Sequence, residues 1–420
     1  MADIELSATA YLTRQMNLTS FAVIGDSWAD AVSLSPNTFG ATAGLNWADA
    51  LSFGRFDIIG EFGVSGKRSD ELEPQFQSAL ATTAGTLYVS CQLANDIGQN
   101  YPTAGTSGAT GAANLIALMT RWTKAGGQVL LELPIGTSGF SATQLAQVIE
   151  ARQRIREYAD RNPRIFLHDC WSLFAPDGST SALVWKANYN YDQTHANNKG
   201  GYYHGKSLLP VINAMFGPRF EGFYNAVETV ANGRWNLSPN PVFRAISGGT
   251  SQTGMTGTTA GSCVSSRTGA ATANVSVIAD ATYTGQKQRL DTTFTALGET
   301  VTLAQDVNIA NWNPGEIVQG IALVSIPNPS AIVAAPYVVL TSNGDSASVI
   351  AANLFPATTS ATYYPGVDEA ITVLIRTPKL TIPNYTAKGY LSVAAKMMAS
   401  AAGAAILDVY NLGVRRCIAP

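Results

Sequence analysis

Short apolar runs alternate with longer amphipathic stretches through the first half of the chain. Residues 20–24, 56–59, 86–90, 128–133 and 164–167 are such runs, rich in Val, Ile, Phe and Leu. The segments between them are long enough to hold crossover helices, so the alternation predicts five parallel strands covered by helices on both faces. Over 112–125, Leu115, Leu118, Met119 and Trp122 recur on one helical face. Over 143–159, Leu145, Val148, Ile149, Arg152 and Ile155 do the same until Asn162-Pro163 stops the helix. A terminal helix is expected over 202–215.

The period changes in the second half. Runs at 274–278, 300–303, 317–324, 337–340, 370–375 and 389–394 are short, β-branched and separated by Gly, Pro and Asn. That punctuation predicts an antiparallel sandwich. The Gly- and Thr-rich stretch 248–269 is expected to be a loop draped over a sheet edge. Residues 394–406 are apolar but contain Lys396 and are short for a bilayer span, so one or two strands are expected there. The 420 residues thus divide into an α/β domain over 1–217, a linker or the start of the second domain over 218–242, and a sandwich over 243–420.

Charge and cysteine content narrow the function classes. The net charge is -3 and no long basic run is present, Arg415-Arg416 being too short, so nucleic acid is not an expected partner. The start Met1-Ala2-Asp3-Ile4-Glu5 is acidic where a signal peptide is basic, and a soluble chain without a membrane span is expected. Its compartment is not assigned; extracellular and virion-associated settings both fit. The four cysteines lack metal-ligand spacing and no His-Glu-x-x-His pair occurs, so neither a metal nor a cofactor is expected. Cys91 and Cys170 follow apolar runs and are expected as buried thiols. A sandwich that brought its terminal strands together could join Cys263 to Cys417, which would favour an oxidising setting; both the bonded and the free state are open at this point.

In an open parallel sheet, reactive groups gather at the carboxyl ends of the strands. Ser27 follows the first run, the Gly63, Asn95 and Pro134 loops follow the next three, and Asp192 with His195 comes after the last. A serine, a histidine and a carboxylate in this order can activate a hydroxyl for acyl transfer. Each residue also has a plain structural role: Ser27 as a helix cap, Asp192 as a turn former, His195 as a solvated side chain. His168 is expected to be packed near the fifth strand, and His204 to lie on the surface or cap a helix. Ser65 lacks the Gly-x-Ser-x-Gly spacing of a nucleophile elbow.

Four blocks resemble those of the SGNH, or GDSL-like, hydrolases. They are Gly25-Asp26-Ser27, Gly63-Val64-Ser65-Gly66, Ala94-Asn95-Asp96 and Asp192-Gln193-Thr194-His195, the last followed by Asn197 and Gly200. The resemblance implies a three-layer α/β domain with Ser27 as nucleophile, His195 as acid-base and Asp192 as its orienting carboxylate. It further implies an oxyanion hole made by the Ser27 and Gly63 amides and the Asn95 side chain, with Asp26, Trp28 and Asp96 in support. Two departures stand out: Leu93 replaces the glycine usual two positions before the block asparagine, and Trp28 follows the serine.

The second half resembles, in layout alone, the jelly-roll carbohydrate-binding domains joined to sugar esterases, including those on phage tail proteins. Trp235, Trp312, Tyr337, Tyr363 and Tyr364 are its candidate sugar-stacking residues, with core or interface packing as the default for each. The expected activity is removal of O-acetyl or other small acyl groups from a carbohydrate or surface polysaccharide. The polar stretch 98–111 bordering the site suits a hydrophilic substrate. The alternatives are a lipase or thioesterase, and a non-catalytic glycan-binding structural protein of a virus particle. The expected partner is an acetylated glycan, with homo-oligomer formation or virus-particle attachment left open.

Overall fold

The structure is a computed structural model, described over residues 17–32, 42–99, 105–175, 183–223, 236–283, 285–328, 334–345, 348–353 and 369–417. Two compact units form, changing over between Pro218 and Arg219, with Ala50–Gly54 grouped with the second.

The first unit is the expected three-layer α/β fold. Strands β1 (Asn17–Gly25), β2 (Asp57–Glu61), β3 (Ala84–Ser90), β4 (Gln128–Glu132) and β5 (Ile165–His168) form one sheet in the order β2-β1-β3-β4-β5. All four pairings are parallel. Successive side chains on a strand face opposite ways, so Ala22 and Ile24 enter one core while Phe21 and Val23 enter the other. The first core is closed by Phe76, Leu115, Trp122 and Leu145, and the second by Leu45, Ala48, Leu208 and Ile212. Each of the buried Leu, Ile, Val and Phe side chains contributes about 1.5–3 kcal/mol.

Helix α1 is Ser27–Asp30 and α2 is Gly44–Leu51. Helix α3 (Glu73–Leu80) precedes β3, and α4 (Ala94–Gly98) and α5 (Gly108–Lys124) lie between β3 and β4. Helix α6 (Ala142–Ala159) precedes β5, α7 (Trp171–Phe174) follows it, and α8 (Asn198–Met215) ends the unit. Helix α5 starts four residues before its apolar periodicity, because Ser107 caps it by accepting the Thr110 N–H. Helix α8 likewise begins early, capped by Asn197 through the Gly200 N–H. Ile149 departs from the predicted stripe of α6 and is exposed. No described helix is long and apolar enough to cross a membrane.

The second unit is a sandwich of two sheets. One runs Ile371–Arg376, Ile317–Ile326, Gly403–Cys417, Gly285–Phe294, Thr272–Asp280 and Met255–Gly257, with Leu380–Thr381 beside Ile317–Ile326. The other runs Ser348–Asn353, Ala334–Gly344, Lys388–Ala399, Thr300–Val307, Cys263–Arg267 and Thr250–Ser251. Pairing is antiparallel except at one edge of each sheet, where Thr250–Ser251 and Met255–Gly257 pair in parallel. Both edge strands, and the interior strand Cys263–Arg267, come from the Gly-rich stretch 248–269 expected as a loop, so that expectation is corrected: the stretch pairs into the sheets. Residues 394–406 hold the end of one strand and the start of another. Asn236 bridges Arg415, and the Leu237 N–H donates to Val414, so the second unit takes in residues ahead of 243.

Two possibilities raised for this unit are not realised. Cys263 and Cys417 lie in opposite sheets and are not joined; the Cys263 sulfur instead accepts from Gln305 Nε2 at 3.3 Å. Trp312 and Tyr337 are buried at 0% and 4% exposure and serve as core, so neither is presented to a sugar. Trp235, Tyr363 and Tyr364 lie outside the described residues.

Candidate active site

The turn that carries Ser27 is set by backbone approach. At Gly25, φ is +146° and an added Cβ would fall 1.8 Å from the Ser90 carbonyl oxygen, so only glycine lets β1 pass β3 here. Gln75 closes the turn from the side, accepting the Gly25 N–H at 2.8 Å and donating to its carbonyl at 3.0 Å. Asp26, rather than Ser27, caps α1: its Oδ1 accepts the Trp28 N–H and its Oδ2 accepts the Gln92 N–H at 2.7 Å. Burial pushes the Asp26 carboxyl up to about 7 despite those two hydrogen bonds. Ser27 is thereby left on the first turn with its hydroxyl available.

Asp192 and His195 are brought to that hydroxyl by a loop folded on itself. Asp192 Oδ1 accepts the N–H groups of Thr194 and His195 at 3.0 and 2.8 Å, while Gln193 adopts φ +71° between them. The loop is pinned from outside by Thr137 and Ser138, which donate to the Gln193 carbonyl, and by Trp28 Nε1, which donates to the Thr194 carbonyl at 2.9 Å. His195 Nδ1 then lies 2.6 Å from Asp192 Oδ2, and His195 Nε2 lies 2.7 Å from Ser27 Oγ. An ionised carboxylate only accepts, so Nδ1 carries the proton and Nε2 faces the serine as an acceptor. Burial raises the Asp192 pKa, but the His195 ring and the two loop N–H groups outweigh it and hold the carboxyl below its ordinary value.

The remaining expected residues fall less uniformly. Asn95 uses one side-chain N–H on the Lys67 carbonyl at 3.0 Å, within the loop that follows β2. At Gly63 an added Cβ would meet Asp30 N at 2.4 Å and Ala29 C at 2.5 Å, so close packing against α1 by itself demands glycine. Its amide faces the Glu61 carboxyl, a contact to be given up before it serves an oxyanion. Asp96 accepts from Ser69 and Thr106, tying two loops near the site. Leu93 adopts φ +54°, which explains why glycine suits this position; here a buried leucine takes the left-handed conformation at a cost of about 1–2 kcal/mol. Trp28 packs edge-on against Phe174 and Trp185 and also lines the cavity beside Ser27.

A buried polar cluster matches none of the sequence motifs. Ser90, Glu132 and His168 form one row across β3, β4 and β5, and His204 descends onto it from α8. His204 is 1% exposed, which corrects its expected surface or capping role. Glu132 accepts from Tyr88 and Ser90 and contacts His204, while His168 Nε2 meets Ser207 Oγ at 2.9 Å. Burial works against the Glu132 charge, yet His204 and His168 beside it hold its carboxyl well below the usual range. His168, Cys170 and His204 bring ligand atoms within 4.8 Å of one another. His204 Nε2 is engaged by the Glu132 carboxyl and His168 Nε2 by Ser207, so the cluster is a hydrogen-bonded carboxyl and imidazole group. The signal available in the sequence was a lone carboxylate in the apolar run Leu130-Leu131-Glu132-Leu133.

A cavity of about 350 Å³ opens over Ser27 and His195, with Asp30, Ser65, Tyr191 and His204 in its wall. No protein-family model and no curated protein matches the chain. Solved structures resemble parts of it. A GDSL-like lipase from Bacteroides thetaiotaomicron is 17% identical, with a TM-score of 0.36 over 50% of this chain and 94% of that one. An acetyl-xylooligosaccharide esterase from Geobacillus Stearmophilus is 15% identical, with a TM-score of 0.39 over 48% and 96%. A structure of carbohydrate-binding modules from the β-sandwich superfamily is 15% identical, with a TM-score of 0.27 over 37% and 58%.

Proposed function

We propose that the first unit is a serine acyl hydrolase of the SGNH type that removes a small acyl group, acetate foremost, from a carbohydrate. The observation that carries the chemistry is the unbroken line of hydrogen bonds from Ser27 Oγ through the His195 ring to Asp192. Ser27 attacks the ester carbonyl while His195 Nε2 takes its proton; the same nitrogen then gives that proton to the departing alcohol. Asp192 fixes the tautomer and stabilises the imidazolium. In this reading the Ser27 and Gly63 amides and the second side-chain N–H of Asn95 donate to the developing oxyanion, each worth about 3 kcal/mol in the transition state. Water repeats the cycle on the acyl-enzyme. The carboxylate of Asp30 and the hydroxyl of Ser65 in the cavity wall favour a hydroxylated substrate over an aliphatic one.

An acyl-release screen across acetylated glycans and simple aryl esters, with Ser27→Ala as the blank, tests both layers. Loss of at least about 10⁴-fold in kcat is expected for the variant. Turnover persisting in Ser27→Ala rejects the nucleophile, and preference for long-chain aryl esters over every glycan replaces the carbohydrate reading with a lipase or thioesterase.

A further inference from the structure

His195 divides the cleft into two sides. The departing alcohol takes its proton from Nε2, so its oxygen must sit against that atom while the acyl carbon sits on Ser27 Oγ. The side chain flanking the imidazole is Tyr191, whose ring lies along it with centroids 5.6 Å apart and planes 14° from parallel. The ring is held by its backbone: the Tyr191 N–H donates to the His195 carbonyl at 3.2 Å, and Asn190 bridges Ala196.

Yet Tyr191 is 65% exposed, and its ring forms part of the cavity wall. A large ring kept in water on a fixed backbone offers a flat apolar face at the cavity mouth. Asp30 complements it: Oδ2 accepts the Ser65 N–H at 3.2 Å and the Ser65 hydroxyl, while Oδ1 has no partner among the described residues. A flat apolar face beside an acceptor for hydroxyl protons matches a pyranose, which has one face of C–H groups and a rim of hydroxyls.

Resting on the esterase reading above, we infer that Tyr191 is the platform on which the ester-bearing pyranose stacks, with Asp30 accepting from its free hydroxyls. Tyr191 therefore sets the alcohol half of the specificity and takes no part in proton transfer.

The test compares a methyl pyranoside carrying one acetate with ethyl acetate, whose alcohol is too small to stack. Tyr191→Ala is expected to lower the ratio of kcat/KM for the glycoside to that for ethyl acetate about tenfold, chiefly through KM. Tyr191→Phe keeps the ring and should hold that ratio within about twofold of the wild type. An unchanged ratio in Tyr191→Ala overturns the inference, and so does an equal fall on both esters, which would make the ring a prop for His195. Calorimetric titration of the acetylated glycoside into Ser27→Ala and into Ser27→Ala/Tyr191→Ala decides the same point without turnover. Weaker binding by the double variant supports the platform, and equal binding refutes it. If the wild type hydrolyses neither ester, the esterase reading fails on its own while the titration still decides the role of Tyr191.

Discussion

Replacing Asp192 by asparagine gives the sharpest test of the proton-transfer line, because the two carboxylate oxygens have different tasks. Oδ1 accepts two loop N–H groups and Oδ2 faces His195 Nδ1 at 2.6 Å. An amide has one acceptor, so Asp192→Asn must abandon one task. If its oxygen stays with the loop, its NH₂ faces Nδ1 and forces the proton onto Nε2, where it points at Ser27 and blocks general-base action. The flipped amide keeps the tautomer but sets two N–H donors against its NH₂, at a cost of about 1–3 kcal/mol. The first arrangement is thus preferred, and kcat is expected to fall about 10⁴-fold, equivalent to about 5 kcal/mol of transition-state stabilisation. Steady-state hydrolysis of a simple acetate ester near neutral pH measures this, with circular dichroism as the check on folding. A folded Asp192→Asn protein retaining kcat within about tenfold of the wild type would show that Asp192 does not set the histidine tautomer.

Three further outcomes follow from the site's supports. Trp28→Phe removes the donor to the Thr194 carbonyl and trims a buried ring that packs on Phe174 and Trp185; kcat should drop about fivefold and the protein should lose about 1–3 kcal/mol of stability in urea unfolding. Glu132→Gln replaces a buried carboxylate that accepts from Tyr88 and Ser90 on its two oxygens by an amide with one acceptor, and should destabilise the protein by about 1–3 kcal/mol in urea unfolding; an unchanged urea midpoint would show the cluster to be dispensable. For Asp26, ionisation is delayed from 3.8 in the unfolded chain to about 7 in the native one. The native state therefore holds the extra proton between those values, and stability falls as pH rises through that window, with no further loss above it. The slope of the urea midpoint against pH over this range should flatten in Asp26→Asn, and an unaltered slope would place the titration elsewhere.

Much of the first unit was legible because its instructions are local. An apolar run buried on both faces, followed by a helical stripe, specifies a parallel strand and its crossover wherever it occurs. The Asp192 to His195 spacing closes its own turn through backbone hydrogen bonds, so that half of the site was visible as a unit. Glycine roles were harder. Gly63 satisfies the block pattern, but its lack of a side chain is demanded by contact with α1, a fact of packing that no spacing reveals.

The sequence by itself determined the strand periods, the change from α/β to all-β patterning, and the order of the chemical groups along the chain. Only the tertiary structure decided that Ser27 and His195, 168 positions apart, meet at 2.7 Å. It alone placed His204 on Glu132 beneath Trp28, put Cys263 and Cys417 in opposite sheets, and buried Trp312 while leaving Tyr191 in water. The reason is physical: backbone periodicity depends on neighbours a few residues away, whereas burial and pairing depend on which distant surfaces fill the same space.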